Sequence, residues 1–182
     1  MTRVNTSVLV VMLGAGLAGL LAGDAATVGA TRPVWNEVKW PFPLDQWGVG
    51  KAFRCAAADC GVEISLYLRA KIGFCNCATG VADDAELDRV GDLELYSDKW
   101  AGLAGGREIK VGSMKGRSRP YRVEMRYAAP FSAHAIAFND KCDVAVATVV
   151  ADHARLPPAE RLALDFLNSD LVLRWAEREL GI

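Results

Sequence analysis

In several segments between Lys51 and Ala151 apolar side chains return at every second position, the period of strands whose successive residues face opposite ways. Val62, Ile64, Leu66 and Leu68 form one apolar parity, with Glu63, Ser65 and Arg69 on the other, which predicts a half-buried strand. KAFRC (51–55) pairs with it across AAADCG. REIKVGSM (107–114) and RPYRVEMRYA (119–128) predict two more strands around a KGRSR turn. AHAIAFND (133–140) and CDVAVATVVA (142–151) form the strongest hairpin signal, with turn chemistry in Asn139-Asp140-Lys141, and belong at the centre of a sheet.

Helical spacing takes over elsewhere. Asp83, Asp84 and Glu86 place acids in the first turn of a short helix carrying Leu87 and Val90 and ending at Gly91. After Pro157-Pro158, Leu162, Leu164, Phe166 and Leu167 are followed by Leu171, Leu173, Trp175 and Leu180. Asn168 or Ser169 can cap the second piece, so one kinked helix or two short ones satisfy the pattern. This order predicts an α+β fold: an antiparallel sheet of about five or six strands with a C-terminal helix on one face. The glycine-rich AGLAGG (101–106) lacks the Lys-Ser/Thr of a phosphate loop and reads as a flexible connection.

The N-terminus follows a different pattern. Arg3 precedes sixteen residues, Val8 to Gly23, without a charge, and the small residues up to Val28-Gly29-Ala30 suit signal peptidase. The same run approaches the lower limit of a spanning helix, about 17 residues, and its glycines and alanines suit packing against another membrane helix. Residues 1–30 are thus a signal peptide or a membrane anchor. Either places the remainder in the periplasm or on the periplasmic side of the inner membrane. Residues 31–50, with Trp35, Trp40, Trp47, Pro41 and Pro43, form a Trp/Pro-rich arm that cannot be one helix. Its aromatics either cover the domain's own core or make a docking surface for a protein partner. Residues 51–182 form a single domain.

A composition of 52% hydrophobic and 24% charged residues with net charge −1 describes a globular chain and disfavours nucleic acid as a partner. Export changes the meaning of the cysteines. Cys55, Cys60, Cys75 and Cys77 fall in a C-x4-C-x14-C-x-C block, and Cys142 stands apart. In an oxidising compartment disulfides are the expected state. Cys55 with Cys60, and Cys77 or Cys75 with Cys142, is the favoured pairing; each of Cys55 and Cys60 reaching one member of Cys75-Asn76-Cys77 is the alternative, because spacing does not determine connectivity. A copper or zinc site using Cys75 and Cys77 as thiolates is the other chemistry this frame allows; otherwise no cofactor is implied.

Charge adds a candidate contact. Arg107, Lys110, Lys115, Arg117, Arg119, Arg122 and Arg126 make a basic hairpin, against an acidic stretch from Asp83 to Asp98. With Trp35, Trp40 and Trp47, the Lys115, Arg117 and Arg119 cluster is the candidate surface for a protein partner, a membrane complex included, or for anionic lipid. Edge-strand charge that discourages aggregation explains it equally well. No catalytic motif is present: Ser132 and His134 share a strand face without completing a triad. The segments FRC-x4-C, GFCNC and FND-x-C, with WPFPLDQWG and LDFLNSDLVLRWAERELG, resemble a set of exported bacterial proteins of unassigned function. The resemblance covers most of the chain after the leader and implies no reaction. The function expected is that of an exported or membrane-anchored binding or accessory protein, with periplasmic metal handling as the alternative.

Overall fold

The computed structural model describes residues 33–182, so the signal peptide or anchor expected over residues 1–30 lies outside the described residues. Eight strands are present among those residues: β1 (Trp35–Val38), β2 (Lys51–Cys55), β3 (Ile64–Lys71), β4 (Trp100–Gly102), β5 (Arg107–Val111), β6 (Met114–Val123), β7 (Phe131–Asp140) and β8 (Asp143–Ala151). They form one sheet in the order β1-β2-β3-β8-β7-β6-β4, with β5 also paired to β6, and every pairing is antiparallel. The helices are α1 (Ala57–Cys60), α2 (Asp84–Val90), α3 (Leu156–Leu167) and α4 (Asp170–Leu180). The α+β class is as expected, with more strands than five or six. The additional ones are short: β1 lies within the arm, where the prolines exclude a helix but leave an edge strand possible, and β4 is too brief to show a period.

Two boundaries differ from the sequence reading. KGRSR is not a turn: the chain reverses at Gly112-Ser113, with Gly112 at φ +58°, and β6 runs straight through residues 115–119. Lys115, Arg117 and Arg119 there alternate with Gly116 and Ser118, which is itself a strand pattern, and local charge density masked it. The β7–β8 turn is Lys141-Cys142, flanked by the Asp140–Asp143 pair, with Lys141 at φ +50°. Cys142 therefore occupies the turn rather than the start of a strand.

Both faces of the sheet are covered. On one, Phe53, Leu66, Leu68, Ile136, Phe138 and Val149 pack beneath α3 and α4, which contribute Ala159, Ala163, Leu167, Val172 and Trp175. The C-terminal helical segment is thus two helices, with Asn168 and Ser169 between them. On the other face, Ala133, Ala135, Ala137, Tyr121 and Val146 lie beneath Leu87 and Val90 of α2 and the following Leu93. The alanines keep this face flat enough for α2 to approach closely. With apolar neighbours on both sides, β7 is buried without interruption from Ser132 to Phe138, as a central strand should be.

The polar parity of β3 is also covered, contrary to a half-buried strand. Tyr67, Arg69 and Lys71 point beneath the arm, and Arg69 and Lys71 are fully buried. Arg69 pairs with Asp92 through two bonds of 2.6 and 2.7 Å and with Asp45 of the arm at 2.6 Å. Lys71 Nζ meets Asp92 at 2.7 Å and donates to the Val90 carbonyl at 2.8 Å. Burial is tolerated because both cations find carboxylates and carbonyls.

Candidate functional site

The sequence-predicted site residues fall into separate regions. Cys55 bonds to Cys60 across α1, and Cys77 bonds to Cys142. Cys75 remains a buried thiol whose sulfur donates to the Lys141 carbonyl at 3.2 Å. Burial, reinforced by Glu86 and Asp143, raises its pKa to about 11, so little of it is thiolate at neutral pH. With its sulfur joined to Cys142, Cys77 offers no thiolate to copper or zinc. Among the described residues, no group of three or more His, Cys, Asp or Glu side chains is arranged to hold a metal ion.

The tryptophans rest on their own domain. Trp35 stacks on Phe166 of α3 at 4.7 Å, Trp40 meets Tyr67 edge-on at 6.2 Å, and Trp47 leans on Phe74 at 4.5 Å. The first covers one face of the sheet and the others cover the opposite face above Arg69 and Lys71. Of the basic residues, Arg117 is held by Asp84 at 2.5 Å and Arg119 by Asp88 at 3.1 Å. Asp84 and Asp88 of the acidic stretch thus neutralise Arg117 and Arg119 of β6. Lys115 is exposed opposite Lys110, beside a cavity of about 480 Å³ that also meets Thr79, Glu108 and Asn139.

The chemically richest concavity lies elsewhere, where the Leu103–Gly106 loop faces the N-terminal end of α3. It is a cleft of about 380 Å³ with apolar walls from Leu103, Pro120, Leu156 and Pro157, and with His134, Glu160, Ser118, Arg107 and His153 supplying polar groups. The loop is pinned rather than flexible: Gly106 N–H donates to Asp84 at 3.1 Å, and the Ala104 carbonyl accepts from Arg119 at 2.9 Å. A β-carbon at position 106 would overlap an Asp84 carboxylate oxygen and lie 2.8 Å from Arg117 Nε, so a side chain there would displace the pair that pins the loop.

At the cleft floor, β6, β7 and α3 bring Ser118, His134 and Glu160 together. Ser118 Oγ donates to Glu160 Oε1 at 2.6 Å, and Arg107 of β5 approaches the same oxygen at 2.9 Å. His134 Nδ1 lies 3.9 Å from that oxygen, enclosed and without a hydrogen bond. The imidazole is 93% buried on its side chain. Burial lowers its pKa, against the pull of Glu160 and with help from Arg107, so the ring is neutral at pH 7. At the rim, Ser132 Oγ bonds His153 Nδ1 at 2.6 Å. Ser132 therefore serves His153 rather than His134, its neighbour in sequence. A perturbed titratable group in an apolar cleft with few convergent polar groups is the usual form of a ligand site.

The sequence presents Ser132 and His134 as a candidate pair, Arg107 only as a member of the basic hairpin and His153 only as an isolated histidine, and it does not single out Glu160 or Ser118. Glu160, Ser118, Arg107 and His153 come from four different elements, and their meeting depends on cross-strand register and on the packing of α3 over the sheet, which local alternation does not contain. Compared with protein-family models, with curated proteins and with solved structures, the chain matches none.

Proposed function

We propose that the chain works outside the cytoplasm, in the periplasm or anchored at its inner boundary, as a binding or accessory protein, and that its ligand seat is the His134 cleft. The uncharged run after Arg3 supports export, and two disulfides suit an oxidising compartment. The observation that carries the seat is the neutral, buried His134 beside a fixed carboxylate at the floor of an apolar cleft. Protein or anionic-lipid contact through Lys110 and Lys115 is the accompanying proposal for the outer hairpin face, where both lysines lack an acidic partner within salt-bridge distance among the described residues.

The test is an amide NMR screen of the oxidised protein with small uncharged one-ring and two-ring fragments. Shifts should gather at residues 103–107, Ser118, His134 and Glu160, and Ala104→Trp, which fills the mouth from the exposed loop, should remove them. Shifts scattered over the surface, or surviving in Ala104→Trp, would exclude the cleft as the seat.

A further inference from the structure

We infer that the cleft selects ligands by hydrogen-bond donation, taking uncharged ring-sized molecules that offer an O–H or N–H to His134 Nε2. This rests on the reading of the cleft as the ligand seat. It follows from the tautomer that the surroundings impose. His134 Nδ1 is enclosed, and the charged oxygen near it is Glu160 Oε1 at 3.9 Å. A nitrogen lone pair turned toward a carboxylate is repelled, whereas an N–H is attracted, so the neutral ring keeps its proton on Nδ1. The carboxylate is kept in place by Ser118 at 2.6 Å and Arg107 at 2.9 Å. The lone pair then belongs to Nε2, which unlike Nδ1 is not an enclosed atom without a partner, on a ring that lines the cleft.

The other groups around the ring agree with a donor ligand. Arg107 gives one nitrogen to Glu160 and offsets that carboxylate's charge, so the pair presents no net positive charge, and His153 is tied at Nδ1 to Ser132. An anionic head would meet the Glu160 charge and the Nε2 lone pair together, with no unpaired cation at the floor. An ether or hydrocarbon would bury Nε2 without a partner, which a buried acceptor resists. The apolar walls favour a ring as the body of the ligand, and about 380 Å³ is within the range of small-molecule sites, roughly 300–1,000 Å³.

Phenol and toluene are the probes, since they differ by exchange of a hydroxyl for a methyl group. Both are titrated onto the full oxidised chain at pH 7.5 and followed through the amides of the cleft. The phenol-to-toluene affinity ratio should fall about tenfold in His134→Leu, the size of one net hydrogen bond. A second arm needs no substitution: the ratio in the unaltered protein should fall as pH is lowered until His134 protonates, because Nε2 then becomes a donor itself. Imidazole ¹⁵N shifts at pH 7.5 should place the His134 proton on Nδ1. A ratio unchanged in both arms, or a proton on Nε2, overturns the donor rule while leaving a cleft that binds rings. If neither probe moves the cleft amides, the ligand seat falls, and the donor rule with it.

Discussion

Arg69 shows how much a single residue can hide. Its place in the alternation of β3 marks it as polar-facing, yet its side chain is 98% buried because Asp45 and Asp92, 24 and 23 positions away, close over it. No local pattern contains that information: the pairing is created when the arm and the segment after α2 fold onto the sheet. His134 is legible to the same degree. Its strand and face could be read from alternation, but Glu160 comes from a helix packed across the sheet. The Arg69 cluster makes a test at this scale. Asp92→Ala removes the carboxylate shared by Arg69 and Lys71 and leaves both cations buried, which should cost about 3–5 kcal/mol. Asp45, with 35% of its side chain exposed, can be relieved by water, and Asp45→Ala should cost distinctly less. Urea unfolding of the two variants checks the order; equal losses would mean that Asp92 is not the main counter-charge.

Elements were readable in proportion to their regularity. The β7–β8 hairpin, β3 and α2 declared themselves through period and caps, and Asp83 does accept from the Glu86 amide at 2.8 Å as an N-cap should. β1 was concealed by neighbouring tryptophan and proline, and β6 by Lys115, Arg117 and Arg119, of which the two arginines find their acidic partners on α2. The cysteines tie these elements with unequal effect. Cys55–Cys60 closes a separation of 5 residues within one turn, whereas Cys77–Cys142 spans 65 and fastens the chain before α2 to the turn of the central hairpin. Loop-closure entropy assigns about 2 kcal/mol to the first and about 4 kcal/mol to the second. The double variant Cys77→Ser/Cys142→Ser should therefore lose roughly twice the unfolding free energy lost by Cys55→Ser/Cys60→Ser. Denaturant midpoints with unchanged slopes would measure this, and an equal or reversed order would show that native-state enthalpy rather than loop length governs these bonds.

For the whole molecule, the charges that looked like a docking surface are mostly spent internally, and this links the fold to pH through two separate groups of residues. His134 is neutral when folded because burial lowers its pKa, while in the unfolded chain it titrates near 6.5. Below that value the unfolded chain binds the extra proton, so stability drops as pH falls from about 6.5 toward the folded pKa, with a slope of at most about 1.4 kcal/mol per pH unit. The carboxylates act in a lower window. Asp84 is lowered by the Gly106 amide and Arg117, and Glu86 by its bond to Arg89; at Asp45 partial burial pulls upward and the Arg69 hydrogen bond outweighs it. Their contribution is present above the ordinary carboxylate range, near 4, and is lost as pH falls through their depressed folded values. Unfolding free energy measured from pH 8 to pH 3 should thus decline in two stages. In His134→Gln the upper stage should vanish and the lower one remain, because α2 and the Asp45 pair pack on the sheet face opposite the one that carries the His134 ring. A profile that keeps its decline between pH 6.5 and 5 in His134→Gln would assign that stage to another group and remove the neutral imidazole on which the cleft's chemistry depends.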